Sequence, residues 1–183
     1  MIEETRSALQ ITRQMGFGSY KTVHGMCHKI RAAMIEPEQK LGGIVEVDET
    51  YIGGKAYNQH RSKRTHIRGG GDKTPVIGAV QRKGNVTARV FDRVTKAAAE
   101  RFVREAVSHK VSLLATDDHP IYDDLKDYPH KRIEHQIGQH TNTIEVFWSI
   151  FKRGIVGTFH KVGDKYLALY VAEFQFPYNN RAN

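Results

Sequence analysis

The stretch Val45-Glu46-Val47-Asp48-Glu49-Thr50-Tyr51-Ile52-Gly53-Gly54-Lys55 constrains this chain most. β-Branched and aromatic residues dominate it, and apolar and acidic positions alternate at its start, so it reads as a strand. Gly53-Gly54 closes it with a turn. Desolvating an ionised carboxylate costs several kcal/mol unless something pairs it. Glu46, Asp48 and Glu49 fall within four residues. They mark either an edge strand with its acids in solvent or a locus for a divalent cation.

The 183 residues suffice for one medium domain with a full core, or for one domain with a small appendage. A formal net charge of +8, with ten histidines besides, favours a polyanionic partner, of which nucleic acid is the commonest. The single cysteine, Cys27, excludes an internal disulfide and a cysteine-rich zinc ribbon within these residues. No apolar run approaches the length that spans a bilayer, and no secretory signal precedes the first charges, so the expected location is the cytoplasm, with the nucleoid.

Around the acidic strand the chain divides into three predicted parts. Residues 1–36 read as a helix-turn-helix-like DNA-binding segment. A helix through Ser7–Met15 stops at Gly16, Ser19 caps a second helix over Tyr20–Met34, and Val23, Met26, Cys27, Ile30 and Met34 form its apolar stripe. Lys21, Thr22, His24 and His28 on the polar face of that second helix are candidate DNA contacts. A helical hairpin packed on its neighbours would look the same. Residues 37–43 are a breaker-rich linker, and residues 44–183 form the main domain. Within it, Lys55–Lys73 is polar and glycine-rich, and Arg61, Lys63, Arg64 and Arg68 there are candidate phosphate contacts.

After the acidic strand, Pro75–Gln81 and Val86–Phe91 read as a hairpin, Lys96–Ser108 as a helix and Val111–Thr116 as a buried strand parallel to its neighbour. A short helix over Tyr122–Tyr128, a fifth strand over Arg132–Ile137 and a helix from Thr141 follow. The last has Ile144, Phe147, Trp148, Phe151 and Ile155 on its apolar face. A final helix is predicted from Lys165 to about Phe176, interrupted by Pro177. This order predicts an α/β fold: a ribonuclease-H-like mixed sheet with flanking helices, preceded by the small helix-turn-helix.

Three carboxylates take telling places in that order. Asp48 lies in the first strand, Asp117 at the end of the fourth and Glu145 in the first turns of the following helix. Two-metal phosphoryl transfer needs a few oxygen ligands converging on ions about 3.5–4 Å apart. Hard divalent ions that keep several waters need only two or three such ligands. Lys152 lies two helical turns beyond Glu145, on the same face, with Arg153 beside it, an arrangement suited to a phosphate backbone.

The motifs are specific enough to carry a resemblance. Val45–Lys55 resembles the opening catalytic motif of the ISXO-like insertion-sequence transposases, Thr116-Asp117-Asp118-His119-Pro120-Ile121-Tyr122 their second-aspartate motif, and His140–Gly154 their third. Glu173-Phe174 through Asn179-Asn180-Arg181 resembles their closing segment, so the likeness covers about residues 7–181. It implies a DDE-type transposase that cleaves DNA 3′ ends and transfers strands of an insertion sequence, using two Mg²⁺ or Mn²⁺ ions. The implied partners are terminal inverted repeats, target DNA and further copies of the chain. By the same resemblance Asp48, Asp117 and Glu145 are the metal ligands and catalytic residues, Lys152 supports them, and Asn142 is a second candidate for the third place. The chain departs from the family pattern in lacking the zinc ribbon, in having Val146 where glycine is usual, in Pro177 and in its early end; a shortened copy is expected.

Other DNA-breaking chemistries fit the residues less well. No Arg/His set assembles around Tyr51 or Tyr122 for a tyrosine nucleophile, and the Gly-x-Ser-x-Gly elbow of serine hydrolases is absent. A nuclease of the same fold, or a DNA-binding protein without turnover, remains as the alternative.

Overall fold

A computed structural model describes residues 6–53, 73–117, 119–132 and 142–181. The candidate phosphate contacts Arg61, Lys63, Arg64 and Arg68 lie outside the described residues, as do residues 133–137 of the predicted fifth strand. The chain forms two compact bodies, Glu38–Ser149 and Met1–Pro37 with Ile150–Asn183.

In the first body the acidic stretch is β1 (Ile44–Ile52), followed by β2 (Thr74–Gln81), β3 (Val86–Val90), helix α3 (Lys96–Ala106), β4 (Leu113–Thr116) and β5 (His130–Arg132). Helices α1 (Ala8–Met15) and α2 (Tyr20–Ala33) precede it in the chain, and α4 (Asn142–Gly154) starts in this body. The strands lie in the order β3-β2-β1-β4-β5. The hairpin pairs antiparallel, while β4 runs parallel to both β1 and β5. This is the expected ribonuclease-H-like mixed sheet, with the acidic strand at its centre rather than its edge.

A strand's side chains alternate between faces, so the register decides what each acid meets. Val45 and Val47 join Ile77, Ala79 and Leu114 in one buried cluster with Phe102 and Val103 of α3. Glu46 and Asp48 point to the other face, where α4 lies. Gly78 stands opposite Asp48 in the ladder. A Cβ at Gly78 would meet the Trp148 ring at 2.6 Å and Ile144 Cδ1 at 3.3 Å, so the missing side chain is what lets α4 rest on the sheet beside Asp48. The breaker-rich segment is not a free tether at its end. Leu41 is buried and exchanges backbone hydrogen bonds of 2.8 Å with Ala106 and Ser108.

The second body holds α1, α2 and α5 (Asp164–Asn179). Ser7 and Gln10 form a reciprocal capping box on α1, Gly16 ends that helix at φ 68°, and Ser19 caps α2. Both predicted helices therefore form, but the stripe of α2 differs from the expected one. Val23, Cys27 and Arg31 are buried, whereas Met26 and Ile30 are exposed. The Arg31 guanidinium is accommodated because Glu173 of α5 accepts from its Nε at 2.8 Å and Tyr170 lies under it at 4.2 Å.

Two further expectations are corrected. The predicted helix over Tyr122–Tyr128 is only a 3₁₀ turn at Pro120–Tyr122, after which Leu125 and Tyr128 anchor an irregular segment by burial. Helix α5 runs through Pro177 instead of stopping before it. Proline falls in the last turn, where it removes a single donor, and Asn180 N–H still reaches Phe176 O at 3.0 Å.

Gly78→Ala is expected to destabilise the protein by about 1–3 kcal/mol, the usual cost of overpacking a filled site. Urea denaturation checks this, and an unchanged midpoint would contradict the close seat of Trp148.

Candidate metal centre

The register of the parallel pair builds the centre. Val47 stands beside Thr116, so the next residues of β1 and β4, Asp48 and Asp117, emerge together at the carboxyl end of the sheet. Glu49 follows Asp48 on the opposite face of β1. One carboxylate oxygen from each of Asp48, Glu49 and Asp117 lies within 4.8 Å of the other two. All three are partly buried. Among the described residues no Lys or Arg forms an ion pair with any of them.

Unpaired like charges at that spacing repel, and the electrostatics record it. Burial, with Glu49 next and then Asp117 and Glu145, pushes the Asp48 carboxyl up to about 6, against a partial offset from the Glu49 N–H that its Oδ1 accepts at 2.8 Å. Burial likewise raises Glu49, offset in part by the Tyr122 hydroxyl, which donates to Glu49 Oε2 at 2.8 Å. The same charges and its own burial hold the Tyr122 hydroxyl protonated, so it stays a donor. Asp117 Oδ1 accepts the His119 N–H at 3.3 Å, which fixes the carboxylate over the strand end. Three hard oxygen donors with no cationic partner fit a divalent ion of the Mg²⁺ or Mn²⁺ type.

Glu145 sits in the first turn of α4 and is exposed. It is near enough to raise Asp48 but does not belong to the carboxylate group. Its helix is placed by Glu46, two residues before Asp48. Glu46 is fully buried, and its Oε2 accepts the backbone N–H groups of Thr143 at 2.9 Å and Ile144 at 3.1 Å. The Thr143 hydroxyl donates to Oε1 at 3.2 Å, and Arg82 Nε donates to the same atom at 2.5 Å. A carboxylate from the central strand thus caps the helix whose next residue is Glu145.

The structure brings together Asp48 and Asp117 of the expected set, with Glu145 beside them. Asn142, at the start of α4, is exposed. Lys152 and Arg153 are exposed in the last turn of α4, and Lys21 and Thr22 are exposed on α2. His24 and His28 are half-buried there and face each other, Nε2 to Nε2, at 3.2 Å. Two roles were not assigned from sequence, Tyr122 as a donor to the carboxylate group and Glu46 as the cap, while Glu49 was named only within a possible cation locus and not among the catalytic set. Glu49 and Glu46 carried a signal, three acids in four residues of one strand. Tyr122 had none, because its partner lies 73 residues away.

The ISXO2-like transposase domain family matches residues 40–179. The chain belongs to that family. It is a DDE-type transposase domain with the ribonuclease-H-like fold. No curated protein matches it. Among solved structures it is similar to the HTLV-2 integrase catalytic core domain in complex with magnesium, at 12% identity and a TM-score of 0.49, over 80% of this chain and 90% of that one. It is also similar to the BIV integrase catalytic core domain, at 15% identity and a TM-score of 0.49, over 76% and 86%. A pre-cleavage Mos1 transpososome gives 11% identity and a TM-score of 0.30, over 98% and 76%.

The raised Asp48 carboxyl has a signed consequence for the metal-free transposase domain. Its folded value of about 6 exceeds the ordinary 3.8, so between those values the native state holds more protons than the unfolded one. In chelator the stability that the wild type holds over Asp48→Asn should therefore fall as pH rises from about 4 through 6. Melting temperatures of both proteins across that range check the sign; a difference that rises with pH would reverse it.

Proposed function

We propose that this transposase domain cuts DNA 3′ ends and joins them to target DNA, with divalent metal held by Asp48, Asp117 and Glu145. The observation that carries the reading is the carboxylate group formed where Asp117, just past the end of β4, meets Asp48 and Glu49 in the middle of β1, in a family of DNA transposases. Glu49 is near enough to share the ligand role, its Oε2 already oriented by Tyr122. A bound Mg²⁺ or Mn²⁺ pair would supply Lewis-acid activation for phosphoryl transfer. The side chains have the simpler task of holding carboxylate oxygens close together for the ions.

The functional division follows the same reading. Residues 44–183 supply catalysis, 37–43 link, and 1–36 contact DNA through Lys21, Thr22, His24 and His28. Lys152, Arg153 and the four basic residues Arg61, Lys63, Arg64 and Arg68 track phosphates, in keeping with the net charge of +8. The substrates are the inverted repeats of an insertion sequence and a target duplex, handled by more than one copy of the chain, in the cytoplasm of a bacterium. No helix among the described residues is long and apolar enough to cross a membrane.

One observation favours a second reading. Glu145 lies outside the carboxylate group, as in a DNA-binding protein that no longer turns over. A cleavage and strand-transfer assay separates the two, on DNA carrying the flanking inverted repeats, with Mg²⁺ or Mn²⁺. Cleavage should require metal and fall at least ~10³-fold in Asp117→Ala, the scale of an electrostatic contribution to the transition state, while DNA affinity stays within a factor of about 3. Metal-independent DNA binding without any cleavage would establish the second reading.

A further inference from the structure

The body formed by Met1–Pro37 and Ile150–Asn183 has a cavity of its own, about 400 Å³, away from the carboxylate group in sequence and composition. Among the described residues no Asp or Glu lines it. Arg13, Arg31 and Lys161 supply cations, and Tyr20, Phe159 and Tyr170 supply rings. That volume falls in the range of small-ligand sites, and the lining combines an anion's partners with flat apolar faces.

Two features set it apart from an ordinary basic crevice. Arg31 is only 3% exposed, and its Nη1 finds no hydrogen-bond partner among the described residues, although Nε and Nη2 are held by Glu173. An unsatisfied buried guanidinium donor is costly, and native structures keep few of them without a use. The wall beside it is equally unusual. Ile155–Phe159 is a π-helical turn that ends at His160, a non-glycine residue at φ 60° and ψ −46°. Such turns and such backbone strain recur at functional sites. The turn brings Phe159 to 4.7 Å of the Tyr170 ring and 5.2 Å of the Arg31 guanidinium, so ring and cation form one surface. Tyr20, 51% exposed, also lines the cavity, its ring 5.6 Å from that of His24.

Cations for a phosphate and aromatic faces for a base define one ligand class. We propose that this cavity takes a single unstacked nucleotide of a DNA strand, a site separate from the metal centre. It rests on the reading of the chain as a DNA-processing enzyme, and it adds a place where an extruded or unpaired base is held. Arg13 and Lys161, both exposed, take the phosphate. Tyr20 and Phe159 take the base.

The full chain is titrated with thymidine 5′-monophosphate, with thymidine and with inorganic phosphate, following the NMR signals of His24 and His160, which also line the cavity. The monophosphate should saturate both signals and bind at least ~10-fold more tightly than either half alone, as expected when both phosphate and base are held. The double variant Arg13→Ala/Lys161→Ala, on exposed positions that leave the fold intact, should weaken it at least ~10-fold. No saturable shift, equal binding of phosphate alone, or an undiminished response in the variant would each overturn the proposal. A second arm uses a duplex with one unpaired 2-aminopurine. Quenching of that base on binding, relieved by the monophosphate, places a DNA nucleotide in the cavity; quenching that the monophosphate fails to relieve puts the base elsewhere and overturns it. Asp117→Ala should leave both arms unchanged, and absence of cleavage by the wild-type chain with these signals intact sinks the catalytic reading and spares the cavity.

Discussion

A buried carboxylate holds the carboxylate-bearing face of this domain together. Glu46 lies in the central strand with no solvent, a situation that costs several kcal/mol for an unpaired ion. It is tolerated because two backbone N–H groups of α4, a hydroxyl and Arg82 meet its two oxygens. The helix gains a cap from outside its own sequence, and the sheet gains a fixed helix. Gly78 and Trp148 complete the seat, so α4 rises from the sheet directly beside Asp48.

The neighbouring acids obey the opposite logic. Among the described residues Asp48, Glu49 and Asp117 form no ion pair with a Lys or Arg, and partial burial together with their mutual repulsion raises Asp48 from its ordinary value. Folding holds this unfavourable arrangement because the register of β1 with β4 leaves no alternative placement. One strand therefore carries two carboxylates with different surroundings two residues apart, Glu46 satisfied within the fold and Asp48 facing Glu49 and Asp117.

Much of this was legible in the sequence because the signals were local. The strands and long helices follow from periodicity and capping, and the Asp48–Asp117 pairing from an acid within the first strand and another at the end of the fourth. What escaped detection depended on distant partners. Arg31 sits in an apolar stripe only because Glu173 and Tyr170 receive it, and no window around Arg31 contains either. The segment 122–128 has helical composition, yet Tyr122 and Leu125 are drawn into the α3 cluster and hold the backbone irregular. Helix α5 survives Pro177 because the residue falls in the last turn. Glu145 was placed by motif, and its distance from the carboxylate group depends on the geometry of α4, which spacing does not encode.

The central claim is that the Asp48–Glu49–Asp117 carboxylate group is a metal centre. Its most direct measurement is the melting temperature of the full chain under increasing Mn²⁺, in the wild type and in Asp48→Asn. A saturable rise in the wild type, with proton release on binding and loss of the rise in the variant, is the predicted result. An absent rise, or an equal one in both proteins, would contradict the claim and leave the carboxylates as a strained surface without a ligand.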